Sequence, residues 1–543
     1  MTSSSPALRA VIAAACLGFV AACTHQPVPF TDDERATMIQ QDADAIQEMT
    51  TAVDGPITLH EAMARTVLFN LDHRVTRMQE LVSLGQFELA QFEMLPELSY
   101  RLQGIDRDPR QASSSRSIFT GQQTLEPSTS QDRSRALGDL TFSWNVLDLG
   151  VSYFQARQDA DRAIISDELR RRSMHTLMED VRGAFWRAYA AQELSSDVEE
   201  VLDAVKQALV DVSDIEEGRL QPPLQTLRFR RSLIDLIGQL EQLSADLDLA
   251  KVELLSLMNL PSSTDITLSV SALEAFKLPV LDMPQNMLEQ IALDQRPELR
   301  EQLYETRITA NEARRVLFDA LPGLELSLSG NADSNSFLVD NFWREASATL
   351  LGNIVDLLTL GERLEQAEFQ GNLADAQRLA IHLAIISQVN IAKQQYTASS
   401  TSFQRASEVL AIEELIANIL TQEAEASAGN PLEKVRAEAS ALFAKLARFQ
   451  SYADAQAAYG RILASLGVDL VPEDAYQSDV PTLSADIKDQ LSNWSDGAFI
   501  TAMGYDKTNQ SNAQLSEVSD DEESAPASET AAIDTNEIFE AGP

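Results

Sequence analysis

The chain has 543 residues, 44% of them hydrophobic and 23% charged, which is enough apolar material for large cores. Its formal charge of −41 excludes a nucleic-acid binder, because a phosphate backbone recruits clustered Lys and Arg rather than repelling them.

Arg9 precedes a short apolar run, AVIAAACLGFV, which ends in VAAC at residues 20–23. A short apolar core followed by small residues reads as a cleaved export signal, 1–22, too short for a stable spanning helix. Cys23 is then the expected lipidation site of a bacterial lipoprotein; a plain signal peptide with an incidental Cys is the alternative. Cys16 would leave with the signal, so no disulfide is expected in the mature chain. After Cys23 no stretch reaches the ~18 uninterrupted apolar residues of a transmembrane helix, so a membrane crossing has to be made by strands.

Residues 23–56 form an extension, and beyond it the chain says nearly the same thing twice, at 57–280 and 281–471. MLPELSYRLQG (94–104) has its counterpart in ALPGLELSLSG (320–330), and NVLDLG (145–150) in VDLLTLG (355–361). In each repeat a helical segment leads through a Pro into a strand, a polar loop, a second strand and a very long helix. The strands alternate with period two: Leu98, Tyr100 and Leu102 oppose Ser99, Arg101 and Gln103; Leu140, Phe142, Trp144 and Val146 oppose Thr141, Ser143 and Asn145. In the second repeat Leu324, Leu326 and Leu328 oppose Glu325, Ser327 and Ser329, while Ala346, Ala348, Leu350 and Ile354 oppose Ser347, Thr349 and Asn353. Polar, breaker-rich segments at 105–137 and 331–343 read as exposed loops.

After each second strand the apolar period lengthens to three and four residues, as in Val198, Val201, Val205, Leu209 and Val212. Two proline-free stretches, 153–217 and 362–428, would each extend about 100 Å as helix. Each ends at a turn, EEGRLQPPLQ with Gly218, Pro222 and Pro223, and SAGNPLEK with Gly429 and Pro431, before a returning helix that runs to about Leu260 or Gly467. Ala184, Ala188, Ala190, Ala191, Ala437, Ala439, Ala441 and Ala444 suit close coiled-coil packing between the antiparallel partners. Residues 472–543 form a C-terminal extension; after Lys507 it holds acids and no basic residue, a composition expected to stay disordered.

Four alternating strands cannot close a barrel, and an open edge in lipid leaves backbone groups unpaired. Closure therefore requires other copies of the chain; three supply twelve strands, with apolar residues toward lipid and polar ones toward a watery lumen. The expected fold is mainly α with a small β part: long antiparallel helical coiled coils plus four transmembrane strands per chain.

At this point the sequence resembles the TolC-type outer-membrane efflux proteins. The resemblance covers 57–471 and rests on the duplicated plan, on ITLHEAMARTVLFN (57–70) and QRPELREQLYETRITANEAR (295–314), on LPELSY and LPGLEL, and on LDLG and LTLG at the strand-to-helix crossings. It implies a homotrimer with a twelve-stranded barrel in the outer membrane and a helical tunnel through the periplasm, the passive outer duct of a tripartite efflux or type I secretion system. The implied partners are a periplasmic adaptor, which would meet the tips at Gly218, Pro222, Pro223, Gly429 and Pro431, and an inner-membrane pump. Gln225 stands where the first tip of such proteins often has Asp. A periplasm-spanning structural or adaptor lipoprotein without a pore is the competing reading, and the alternating staves argue against it.

No enzyme chemistry is legible. The five histidines are scattered without zinc-ligand spacing, and there is no phosphate-binding Gly-rich loop and no G-x-S-x-G elbow, so no catalytic residue, metal or cofactor is expected. The acids near the tips are the one candidate constellation: Asp211, Asp214, Glu216 and Glu217 approach the first turn, Glu423 and Glu425 the second. A threefold axis would turn Asp214, Glu217, Glu423 and Glu425 into rings at a gate that favours cations; solvated helix faces are the plainer reading for each. Trp144 and Trp343 read as membrane-interface anchors or as core residues.

Overall fold

A computed structural model of the chain describes residues 29–49, 53, 55–124, 126–146, 148–217, 223–271, 276–281, 283–426, 431–472 and 475–495. Cys23, the turn residues Gly218, Pro222 and Gly429, and the acidic tail lie outside them. The chain divides into two compact units, 1–488 and 489–543, and of the second the described residues 489–495 are helical.

The elements, in order, are α1 (Asp32–Met49), α2 (Leu59–Phe69), α3 (Leu71–Phe92), β1 (Glu97–Asp106), β2 (Ser134–Asn145), α4 (Asp148–Glu217), α5 (Pro223–Leu257), α6 (Gln285–Gln295), α7 (Pro297–Asp319), β3 (Gly323–Asp333), β4 (Phe342–Leu351), α8 (Ile354–Leu358), α9 (Leu360–Glu425), α10 (Pro431–Leu466) and α11 (Val480–Ser495), with a 3-10 turn at Ala475–Gln477. The same succession, short helix, helix, two strands, long helix, returning helix, thus occurs twice. The long helices have 70 and 66 residues, and the longer extends about 105 Å.

The start of α4 packs on α3 and α7, and its second half on α5 and α10; α9 likewise packs on α7 and then on α10. Near the strands the helices therefore lie in the order α3, α4, α7, α9, and beyond them α5, α4, α10, α9. In the second layer Ala191, Leu194, Val198, Val205, Ala208 and Val212 of α4 are buried against Leu233, Leu240 and Leu247 of α5 and Leu442 and Phe449 of α10. Steps of three, four and seven residues are those of a coiled-coil seam, and the small residues Ala184, Ala188, Ala190, Ala437 and Ala439 are buried as close packing demands. The short helices α2 and α6 lie on this layer, α2 against α4 and α6 against α9 and α10.

Both returning helices end in the same cap. Leu260 donates its N–H to Leu255 and Asn259 to Ser256; Val468 donates to Leu463 and Gly467 to Ala464. These are the paired bonds of a Schellman motif, and Asn259 (φ 54°) and Gly467 (φ 71°) hold its left-handed position. Each cap abuts the start of the next upper helix: Asn70, N-cap of α3, donates from Nδ2 to the Leu257 carbonyl at 3.1 Å, and Gly467 lies against the backbone of Gln295 and Arg296, just before α7. Two helices end to end thereby fill one place beside α4, and two more fill the place between α4 and α9.

The four strands make one antiparallel sheet in the order β1-β2-β3-β4. Two sequence expectations shift. Ile354 does not continue β4, because Asn353 accepts the Val355 N–H at 3.0 Å and caps α8. Val146 lies just past β2, although its N–H still reaches the Leu324 carbonyl at 3.0 Å. The segments read as loops are also shorter, since β1 and β2 extend to Asp106 and back from Ser134.

Candidate functional site

The sheet has 10, 12, 11 and 10 residues in its four strands, near the 9–11 of a tilted membrane-crossing strand. Its register aligns the alternation of all four. Leu98, Phe142, Leu328 and Ala346 form one cross-strand row, Trp144, Leu326 and Ala348 another, Leu324 and Leu350 a third, all on one face. On the other face run Glu97, Ser143, Ser327 and Ser347, then Ser99, Thr141, Ser329 and Glu345, then Arg101, Asp139, Asn331 and Trp343. Among the described residues nothing covers the apolar face: Leu98 is 65% exposed, Leu140 54% and Phe142 44%. The polar face carries cross-strand pairs, Ser327 with Ser347 at 2.7 Å and Arg135 with Asp333 at 2.9 Å.

The candidate lipid-facing residues Leu140, Phe142 and Trp144 thus share one face, which extends over the other three strands. Trp343 falls on the polar face, because adjacent residues point oppositely and the register puts Phe342 with the apolar set. Arg344 interrupts the apolar face toward the loop end. The free sides of β1 and β4 have no strand partner among the described residues.

At the far end of the helices, α4 is antiparallel to α10 (Glu179 pairs with Arg461, Asp197 with Lys445), and α10 to α9. The ends of α4 and α9 therefore lie at the same end of the layer, with Asp214 and Glu423 both exposed. Glu217 and Glu425 are the last residues of their helices, and Pro223 and Pro431 the first of theirs. The side chains of these four lie outside the described residues.

Sequence reasoning missed the charged cluster where α10 gives way to α7. Asp469, two residues past the cap glycine, accepts from Arg171 at 2.7 Å and pairs with His175 Nε2 at 2.8 Å, and Arg171 also meets Glu168. Burial alone would raise the Asp469 carboxyl, but the hydrogen bonds from His175 and Arg171 outweigh it and hold it below the usual range. Beside them Arg172, Glu179, Arg296, Gln388 and Arg461, with Ile391, line a cavity of about 370 Å³. No local pattern marks this cluster, since Arg171 and Asp469 are 298 residues apart.

Two histidines carry a pH dependence. His73 shares a 2.5 Å hydrogen bond with the Tyr476 hydroxyl, and burial, then Arg170 and Arg77, lower its pKa from 6.5 to about 4. Burial, then Arg182 and Lys488, do the same to His60. Both rings stay neutral in the fold, whereas the unfolded chain takes up protons near pH 6.5. Between pH 6.5 and 4 the unfolded state binds more protons, so this stability is complete above 6.5 and lost as pH falls toward 4. Urea midpoints should drop across that window, and the drop should shrink in a His60→Leu, His73→Leu double variant; an undiminished drop would assign it elsewhere.

Among the described residues no helix is long and apolar enough to cross a membrane, and no group of His, Cys, Asp and Glu is placed to hold a metal ion. No protein-family model and no curated protein matches the sequence. Solved structures do match. The outer-membrane channel OprN aligns over 76% of this chain and 90% of its own at 15% identity and a TM-score of 0.59. The Campylobacter jejuni outer-membrane channel CmeC aligns over 80% and 89% at 12% identity and a TM-score of 0.59. The open state of the Neisseria gonorrhoeae outer-membrane channel MtrE aligns over 74% and 88% at 16% identity and a TM-score of 0.56. The chain has the fold of these outer-membrane channels.

Proposed function

We propose that the chain is one protomer of a homotrimeric outer-membrane export duct, passive itself and fed through a periplasmic adaptor by an inner-membrane pump. The observation that carries this reading is that every layer is open at both ends. Among the described residues the sheet ends in β1 and β4 edges without a strand partner. The upper helical layer ends in α3, with Val75, Met78 and Val82 exposed, and in α9, with Phe369, Leu373 and Leu383 exposed. In the lower layer Leu227 and Ile234 are exposed on α5, and Val409, Ile412, Ile416 and Ile419 on α9 recur at steps of three and four.

Different surfaces at the two ends of one layer are what a head-to-tail ring needs. Three copies joined this way give twelve strands, within the range of outer-membrane barrels, and leave no edge unpaired. The polar sheet face then lines the lumen, and the acids near the helix ends, Asp214, Glu217, Glu423 and Glu425, surround the far opening. Cys23 adds a lipid anchor at the periplasmic leaflet. The likeness to outer-membrane channels supports the duct, and the cargo is left to the pump.

The test is full-length protein extracted from outer membranes. Native mass measurement should give a trimer, and planar bilayers should show a conductance selective for cations. Glu423→Gln with Glu425→Gln should weaken that selectivity, because three copies of each charge act on one axis. A monomer without conductance would overturn the duct and favour the periplasm-spanning scaffold; unchanged selectivity in the double variant would place these acids on the solvated outer face.

A further inference from the structure

The two open edges of the lower helical layer, α5 and α9, differ in charge at their far end. In a chain of net charge −41, residues 223–234 at the start of α5 hold Arg228, Arg230 and Arg231 and no acid; Asp235 follows. Residues 406–425 at the end of α9 hold Glu408, Glu413, Glu414, Glu423 and Glu425 and no base. The exposed stripes carry this difference into their middle. On α5 the exposed Leu224, Leu227, Arg231 and Ile234 recur at steps of three and four, and on α9 Val409, Ile412, Ile416, Ile419 and Glu423 do the same. Each stripe is an apolar seam interrupted once, by an arginine in one and a glutamate in the other. A single polar residue in such a seam fixes its register and its partner.

The two charges also stand at one height. Arg187 of α4 pairs with Glu253 of α5 at 2.6 Å, so Arg231, 22 residues nearer the turn, stands beside Leu209 of α4. Arg461 of α10 joins Glu179 of α4 (2.9 Å) to Gln395 of α9 (2.7 Å), so Glu423, 28 residues further along α9, stands beside Gln207. Two residues of helix amount to about 3 Å. Inside the chain α4 and α10 keep the two side chains apart, and neither is committed elsewhere. Arg231 has Asp235 one turn on, at 3.7 Å with both side chains mostly exposed, a pair worth little. Glu423 makes no ion pair among the described residues, and Asp211 and Asp214 of α4 pair with neither Arg228 nor Arg231 there.

We propose that Arg231 pairs with Glu423 of the next copy, and that this charged seam sets the order in which copies of the chain join. The proposal rests on the reading of the chain as one protomer of a ring, in which α9 of one copy lies against α5 of the next. Like edges repel: α5 on α5 sets arginine against arginine, and α9 on α9 glutamate against glutamate. Only the head-to-tail contact matches charge as well as apolar surface.

A disulfide within the seam tests it. By the same count Ile234 stands beside Lys206 of α4 and Ile419 beside Asp203, so both lie in the stripes at nearly one height. Full-length protein with Ile234→Cys and Ile419→Cys, oxidised in outer membranes, should form covalent dimers and trimers, and either substitution alone should not. Adding Arg231→Glu should slow the cross-link at least about tenfold, and adding Glu423→Arg to that should restore it. Restoration by the opposite reversal separates pairing from a structural effect of either residue. A trimer by native mass that forms no 234–419 cross-link overturns the proposal, as does a reversal that is harmless or not rescued. Cross-linking from a single substitution overturns it by showing that like edges meet, and an adduct with a different protein overturns it by giving the stripe another partner. A monomer by native mass overturns the ring reading itself, an outcome distinct from these.

Discussion

Phe142→Arg should remove most of the membrane-inserted oligomer, and Ser143→Arg should leave it in place. The two residues are neighbours in β2 but belong to opposite rows, Phe142 with Leu98, Leu328 and Ala346, Ser143 with Glu97, Ser327 and Ser347. On the apolar face a guanidinium would meet hydrocarbon, at a cost of about 2 to 4 kcal/mol near the membrane midplane. On the polar face, which already carries Arg101 and Asp139, the same group would be hydrated by the proposed lumen. Leu326→Arg and Ser327→Arg repeat the comparison in β3, where Leu326 shares a row with Trp144 and Ala348. Oligomer recovered from membranes measures the difference. Equal loss from the two faces would contradict the assignment of one face to lipid.

Gly467→Ala should be the most damaging single methyl group added to the helical part. Gly467 sits at φ 71°, and a Cβ there would lie 2.8 Å from the Gln295 carbonyl carbon and 2.9 Å from the Arg296 Cα and N. The left-handed conformation alone costs a side chain about 1 to 2 kcal/mol. The overlap is with backbone, which cannot rotate away, so the total should reach about 3 kcal/mol or more. Asn259 occupies the equivalent cap of the first repeat at φ 54°, with its amide nitrogen buried and without a partner. Exchange experiments separate the two causes. Gly467→Asn tolerates the φ but not the overlap and should still lose most of the stability. Asn259→Gly removes a buried unpaired donor and should gain up to about 1 kcal/mol. Urea unfolding of the three variants checks the order; a harmless Gly467→Asn would reduce the effect to φ alone.

The alternation of Leu98 to Leu102, Leu140 to Trp144 and Leu324 to Leu328 was enough to identify strands with one apolar and one polar face, because that property belongs to a single strand. The three- and four-residue steps from Val198 to Val212, and the prolines at 223 and 431, likewise marked the long helices and the starts of the returning ones, since periodicity and backbone locks act locally. The duplication was visible for the same reason: each copy repeats its own local signals. What the sequence could not state was which distant segments meet. Phe342 and Trp343 are both aromatic, and only the pairing of β4 with β3 decides that Phe342 joins the apolar face. Whether Ile354 extends a strand or starts a helix depends on Asn353 capping the turn, a choice that alternation does not encode. The Arg171, His175 and Asp469 cluster exists because the end of α10 abuts the start of α7 beside α4, so its members come from points almost 300 residues apart. The apolar edges of α3, α5 and α9 needed the tertiary structure as well. An amphipathic helix announces that it has an apolar stripe, but only the folded layer shows which stripes are already covered and which are left exposed.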